Sequence, residues 1–291
     1  MSTRFARQMY AWGRVGWDKA PAGLRQRVLP FAQLAFRIKL RLVSSLRRGE
    51  PRSPLFVLAT MRSGSNLLVD LLDAHPDLRM LGEGLNPGTR YGLRHASQRS
   101  SSLEHLRWLF DCCPRVHPGT KILLEQLAPH RLRVTDLVRS FPDARWIVLY
   151  RRSLTSQYVS LKRAQGSGNF VARVAASSVE STKVSLTADE LRRYCRDTRA
   201  LYTDMLRELE PYHPLVLDYE SLSQSPQRVF DERVWGFLGL APVAVATRLR
   251  RQSRDSLEQS LLEFESLREL IESDETRLEL SDGRSGAPAV P

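Results

Sequence analysis

Cysteine is scarce in this chain, with three among 291 residues: Cys112, Cys113 and Cys195. An odd count without framework spacing excludes a disulfide-stapled scaffold and leads us to expect a reducing, cytoplasmic setting. Cys112 and Cys113 have no metal-ligand spacing and are expected to serve as small buried apolar residues. Long apolar runs are lacking too. No stretch approaches the roughly 20 residues of a membrane span. The N-terminus has no apolar core followed by a small-residue cleavage site, so no secretory leader is expected. The six histidines, His75 and His117 among them, show no HExxH-like spacing, and no metal site is expected. Acidic excess is absent as well, the formal net charge being +12. That charge is local. Residues 1–50 hold eleven Arg or Lys against two acids, or +9, which leaves +3 for the rest. The body is thus nearly balanced, and no nucleic-acid partner is expected.

The chain divides by composition into a basic extension (1–50), an α/β body (51–275) and a flexible tail (276–291). Within the extension, Phe31, Ala35, Ile38 and Leu42 recur at helical spacing, interrupted by Arg37, Lys39 and Arg41. Two readings of such a helix stand side by side: it lies on an anionic membrane surface through residues 1–48, or it packs on the body with its charges in water.

In the body, LFVLA (55–59) and RWIVLY (145–150) are short apolar runs suited to buried parallel strands. TKILLEQL (120–127) is a third candidate, a strand entering a helix, and PLVLDYE (214–220) a fourth. Helices are predicted over 65–74 (stopped by His75-Pro76), 153–165, 186–209, 228–240 and 257–273. The longest opens on a capping box of Thr187 and Glu190. Strands alternating with helices predict one α/β domain, P-loop-like, whose central parallel sheet is flanked by helices, plus the basic helical N-terminal extension.

Ligands of such sheets sit beyond the carboxyl ends of the strands. LATMRSGSN (58–66) lies at such an end. Its amides at a helix start can face an anion, Gly64 allows close approach, and Arg62, Ser63, Ser65 and Asn66 add donors. The bland counterpart is a strand-to-helix turn capped by a serine. The loop lacks the Lys-Ser/Thr pair of an ATP-binding loop. After RWIVLY come Arg151 and Arg152, with Ser160 two turns later. They suit a second phosphate, or else form a surface arginine pair and a mid-helix serine.

These segments resemble a family. TMRSGSNLLVDLLDAHPDLRMLGE is similar to the 5′-phosphosulfate loop of sulfotransferases, most of all to the carbohydrate, tyrosylprotein and bacterial trehalose-type branches. VLYRRSLTSQYVSLKRAQ resembles their 3′-phosphate segment, and LDYESLSQSPQRVFDERVWGFLGL their Tyr-Glu-x-Leu segment and Phe-Leu-Gly helix. The resemblance spans roughly residues 54 to 270. It implies 3′-phosphoadenosine 5′-phosphosulfate (PAPS) as donor and no metal. Arg62, Ser63, Gly64, Ser65 and Asn66 would hold the 5′-phosphosulfate, and Ser160 with an arginine the 3′-phosphate. The usual spacing selects Arg152 for that arginine, with Arg151 left open.

Sulfuryl transfer needs a cation facing the leaving phosphate oxygen and a base for the acceptor proton. Arg62 is the candidate for the first and Glu83, in LGEGLNP, for the second; Glu83 as a plain turn glutamate is the alternative. Cytosolic sulfotransferases use a histidine shortly after a strand lysine. Here Lys121 is followed by Ile122, Leu123 and Leu124, which favours a glutamate. His75 is the runner-up base, Lys121 an orienting residue or a surface lysine, and Arg251 and Arg254 weaker candidates for the nucleotide's 3′ side. The expected activity is sulfuryl transfer from PAPS to a hydroxyl of a carbohydrate or glycolipid, with acceptor contacts in loops 84–105 and 166–186. A metal-dependent small-molecule kinase and a non-enzymatic polyanion-binding protein are the alternatives.

Overall fold

The computed structural model describes residues 53–89, 91–93, 99–113, 117–167, 183–247, 249 and 255–281. The basic extension, Arg251 and Arg254, and residues 282–291 of the expected tail lie outside the described residues.

Five strands form one sheet: β1 (Leu55–Ala59), β2 (Leu78–Glu83), β3 (His117–Leu123), β4 (Arg145–Tyr150) and β5 (Leu215–Asp218). Their order is β2-β3-β1-β4-β5, and every pairing is parallel. The helices are α1 (Ser65–Leu72), α2 (Arg99–Asp111), α3 (Val134–Ser140), α4 (Leu154–Ser167), α5 (Ala188–Leu209), α6 (Tyr219–Gln224), α7 (Pro226–Val229), α8 (Trp235–Leu238), α9 (Leu257–Ser260) and α10 (Phe264–Glu272).

Strand alternation feeds two apolar layers. Phe56 and Leu58 of β1, with Trp146, Val148 and Tyr150 of β4, face the side of α2, α3 and α5. Leu55, Val57 and Ala59, with Ile147 and Leu149, face α1 and the segment around Phe230 and Trp235. Every residue of β1 is buried. A side chain of this kind contributes about 1.5–3 kcal/mol when removed from water, so the central strands carry the greatest apolar burial of the sheet. Phe56 and Trp146 stack at 4.6 Å across β1 and β4.

Several elements differ from the sequence expectation. β2 and helices α2 and α3 were not expected. The helix read over 228–240 is interrupted by a π turn, Phe230–Val234. That turn brings Phe230 and Trp235, five residues apart, into edge contact at 4.9 Å. The helix read over 257–273 is two helices, because Leu261 is extended and pairs with Val184. The strand read at 120–127 begins at His117 and ends in a 3₁₀ turn, Leu124–Gln126. Near the C-terminus, the Leu278 amide donates to the Arg152 carbonyl at 2.9 Å and Arg277 pairs with Ser153, so the segment from 276 is anchored to the body as far as Leu278.

Candidate active site

β1 lies between β3 and β4, so the segments leaving their three carboxyl ends meet. Between them lies a cavity of about 1090 Å³ whose wall includes Arg62, Gly64, Ser65, Asn66, Glu83 and Lys121. Arg151, Ser160 and Glu125 are also on its wall.

The loop after β1 turns sharply. Arg62 (φ 64°) and Gly64 (φ 93°) are both left-handed. Gly64 is the N-cap of α1, with no side-chain cap, so the capping-serine reading of this turn does not apply. A methyl at Gly64 would meet the Tyr219 ring at 2.1 Å. The glycine is therefore required twice, for its φ and for the ring lying on it. At the start of α1 the Leu67 amide closes on the Gly64 carbonyl at 2.9 Å, and the amides of Ser65 and Asn66 before it precede the first intrahelical bond. Ser63 is fully buried, and its Oγ has no partner among the described residues.

Helices on the far side fix the loop. The Thr60 amide donates to Tyr202 Oη (3.2 Å), which itself donates to the Leu149 carbonyl (2.8 Å). Gln157 Nε2 donates to Thr60 Oγ1 (2.7 Å) and to the Met61 carbonyl (2.6 Å). The Met61 amide donates to Glu125 Oε1 at 2.9 Å. A left-handed arginine is thus held by bonds on both preceding residues, as a strained conformer requires.

Arg62 Nε donates to Ser160 Oγ at 3.0 Å, bringing the first loop onto α4, two turns into that helix. Burial, and then the Arg151 cation, press the Arg62 guanidinium below its ordinary value. Two guanidiniums side by side in a partly dry cavity, next to helix-start amides, make a setting that suits a polyanion, while the buried Ser63 hydroxyl lies behind the cavity wall. Arg151 also lies over the Tyr219 ring at 4.9 Å.

The structure separates Arg151 from Arg152. Arg151 lines the cavity and its side chain is 13% exposed, whereas Arg152 is 43% exposed and outside the wall. Arg152 Nε pairs with Asp218 at 3.2 Å, and its amide donates to Glu220 Oε2 at 3.0 Å. The resemblance selected Arg152 with Arg151 left open; of the two, Arg151 is the one on the cavity wall.

Glu83 reaches the site through an irregularity. Met80 pairs with Gly119 but Glu83 with Lys121, so β2 spends one residue more than β3, and Gly82 takes φ 64°. A one-residue slip exchanges the faces of a strand, which brings Glu83 beside Lys121. Lys121 Nζ donates to Glu83 Oε1 (2.8 Å) and to Asn66 Oδ1 (2.5 Å). Glu83 Oε2 accepts from Asn86 Nδ2 and Gln126 Nε2, both at 2.7 Å. Burial works to raise the carboxyl's pKa, but Lys121 and the two amides outweigh it and hold the group below the usual glutamate range. Two carboxylate oxygens offer about four lone-pair positions. Three are taken, and the remaining one belongs to Oε1.

His75, the runner-up base, is outside the cavity wall. Its Nδ1 accepts the Asp77 amide at 3.1 Å and its ring leans on Trp235, so it shapes the end of α1. The sequence reading did not name Glu125, Gln126, Asn86, Gln157, Tyr202 or Tyr219 for the site. The position of Glu125 and Gln126 just past a strand's carboxyl end is the signal that would have found them. Among the described residues no group of three or more His, Cys, Asp or Glu could hold a metal.

Nodulation protein H of Rhizobium tropici is 26% identical over 226 residues, covering 74% of this chain and 88% of the relative. Nodulation protein H of Rhizobium meliloti is 24% identical over 229 residues, covering 75% of this chain and 91% of the relative. Among solved structures, a sulfotransferase from Alicyclobacillus acidocaldarius superposes with a TM-score of 0.47 at 14% identity, covering 77% of this chain and 93% of its own. A mouse sulfotransferase complexed with PAP gives 0.42 at 16% identity, covering 71% and 65%. The family model described as "Sulfotransferase family" matches residues 54–243, from the start of β1 to beyond α8 and so well over half of the sequence; the chain belongs to the sulfotransferase family.

Proposed function

We propose that this sulfotransferase moves a sulfuryl group from PAPS to a hydroxyl of a carbohydrate or glycolipid. The observation that carries the reading is the meeting of Arg62 and Ser160 at 3.0 Å on the wall of a cavity that also holds Arg151, Glu83 and Lys121. Two sequence segments separated by almost a hundred residues, each with a resemblance of its own to one end of the donor site, share one wall.

The roles follow from chemistry. The amides of Ser63, Gly64, Ser65 and Asn66, with the Ser65 and Asn66 side chains, hold the 5′-phosphosulfate, and Arg151 with Ser160 holds the 3′-phosphate. Arg152, tied to Asp218 and Glu220, supports the start of α4 instead. As the S–O bond to the leaving phosphate breaks, negative charge grows on that oxygen, and Arg62 with the loop amides is preplaced to stabilise it. The new bond forms between the acceptor oxygen and sulfur, and the acceptor's proton passes to the open position on Glu83 Oε1. Lys121 orients Glu83 and Asn66 together, so base and donor loop share one reference point. The acceptor class rests on the likeness of the Arg-Ser-Gly-Ser segment to carbohydrate-acting branches. Membrane contact through residues 1–48 belongs to the same proposal, since it would bring the cavity to a lipid-borne acceptor.

The test combines calorimetry with adenosine 3′,5′-bisphosphate and transfer of labelled sulfate. Arg151→Ala should weaken nucleotide binding about 10- to 100-fold, the loss of a charged hydrogen bond, while Arg152→Ala changes it far less. Glu83→Gln should lower kcat about 10²- to 10⁴-fold and leave nucleotide affinity near the parent's. Comparable binding of ATP, or normal turnover in Glu83→Gln, refutes the corresponding assignment.

A further inference from the structure

The cavity contains a second carboxyl that the mechanism above does not use. Glu125 sits on the 3₁₀ turn after β3 and lines the cavity. Its Oε1 accepts the Met61 amide at 2.9 Å, inside the loop that turns through Arg62 and Gly64. Its Oε2 is shut off from solvent and has no partner among the described residues. An ionised oxygen so placed is costly, because nothing replaces the water it has lost. Protonation removes the charge.

The surroundings point the same way. Glu83, from β2, presents a like charge. Tyr194 and Tyr202, from α5, stand near on the other side, and burial raises both phenols so that they stay neutral. Lys121, from β3, is engaged by Glu83 and Asn66, and Arg62 belongs to the donor loop itself. Burial outweighs the lowering by the Met61 amide and Glu125's own amide and, with a smaller push from the Glu83 charge, raises Glu125, whereas Glu83 is lowered. The two neighbouring carboxyls are pushed in opposite directions, so Glu125 is the one more readily protonated.

We propose that Glu125 is a positioning residue that couples donor binding to proton uptake. In its neutral form the carboxyl keeps its bond to the Met61 amide and sets no charge beside the loop. In its ionised form it places a negative charge where the phosphosulfate must lie. An arriving polyanion therefore draws a proton from solvent onto Oε2, forming one O–H bond, and departure of the nucleotide product releases it. The inference rests on the donor reading of this loop. It adds a pH-dependent term to nucleotide affinity, separate from the proton that Glu83 accepts during transfer.

The test is titration calorimetry of the full chain with adenosine 3′,5′-bisphosphate, at several pH values across the neutral range. At each pH the titration is repeated in buffers of different ionisation enthalpy, whose slope counts protons exchanged. Parent and Glu125→Gln are compared. Phosphate protons of the nucleotide contribute equally to both, and glutamine preserves an acceptor for the Met61 amide. The parent should take up more protons than Glu125→Gln, by as much as about one per site where the difference peaks. Equal slopes throughout the series would mean a purely structural tie and overturn the proposal. Should the parent fail to bind the nucleotide at all, the donor reading falls first and the proposal with it. If Glu125→Gln does not fold, difference infrared spectra of the parent decide: the carbonyl band of a protonated carboxyl must grow when nucleotide is added, and an unchanged band overturns the proposal.

Discussion

Two glutamates on one cavity wall show how little residue type says about chemical state. Glu83 has a lysine and two side-chain amides around it, whereas Glu125 has, among the described residues, only backbone amides, those of Met61 and its own residue. The stability consequences have opposite signs. For Glu83 the folded pKa is depressed, so its contribution is present above the ordinary glutamate range and disappears as pH falls through the folded value. For Glu125 it is raised: as pH climbs, the unfolded chain ionises first, and the native state bears the cost of charging above its own pKa. Glu125→Gln, which cannot ionise, should therefore be more favourable to stability at neutral pH than in acid, relative to the parent. Thermal unfolding at neutral pH and again below the ordinary glutamate pKa checks this, the variant losing ground to the parent in acid. Arg62, the 63–66 stretch and Ser160 could be singled out in the sequence because each follows a strand run that ends in polar residues, and the fold brings Arg62 and Ser160 together. Glu125 could not, because a glutamate and a glutamine after an apolar run look like the start of any solvated helix. Arg151 and Arg152 follow the same strand, so the sequence could not tell that only the Arg151 side chain turns into the cavity.

Among the elements, central strands were legible and edges were not. LFVLA and RWIVLY are apolar throughout because both their faces are covered. β2 escaped because it is an edge strand, with Arg79 exposed, and because its bulge breaks the alternation that would have marked it. The broken helices were read as continuous because their apolar spacing is helical; the break at Leu261 comes from a tertiary partner, Val184, whose amide bonds to the Ser260 carbonyl. The start of α4 is a further case of support from a distant element. Glu220 Oε2 accepts the Arg152 amide at 3.0 Å and its Oε1 the Ser153 amide at 3.3 Å. Its ion pairs are with arginines at 3.9 and 3.8 Å, the second of them exposed, and pairs of that kind contribute about 0–1 kcal/mol. The backbone bonds matter more. Glu220→Ala should cost about 1–3 kcal/mol in denaturant unfolding through orphaned amides, whereas Glu220→Gln, which retains an acceptor, should cost less.

Taken as a whole molecule, the sheet order was only partly legible. A parallel sheet follows from alternating strands and helices, but the positions of β2 and β3 on one side of β1 and of β4 and β5 on the other depend on packing that short apolar runs do not encode. No described helix is long and apolar enough to cross a membrane. The Tyr219 ring, which arrives at the end of β5, rests on Gly64, more than 150 residues earlier. The first loop is therefore finished by the residue that follows the last described strand. A nascent chain still lacking β5 would carry the whole Arg-Ser-Gly-Ser motif and yet have no lid on its glycine, no Glu220 behind α4 and an open sheet edge at β4. A release-arrested or truncated chain ending before Leu215 should bind no adenosine 3′,5′-bisphosphate in a filter or fluorescence assay, whereas measurable affinity there would show that the loop assembles alone. Competence in this enzyme would then be acquired late in synthesis and all at once, leaving the ribosome-bound intermediate unable to sequester nucleotide before it is complete.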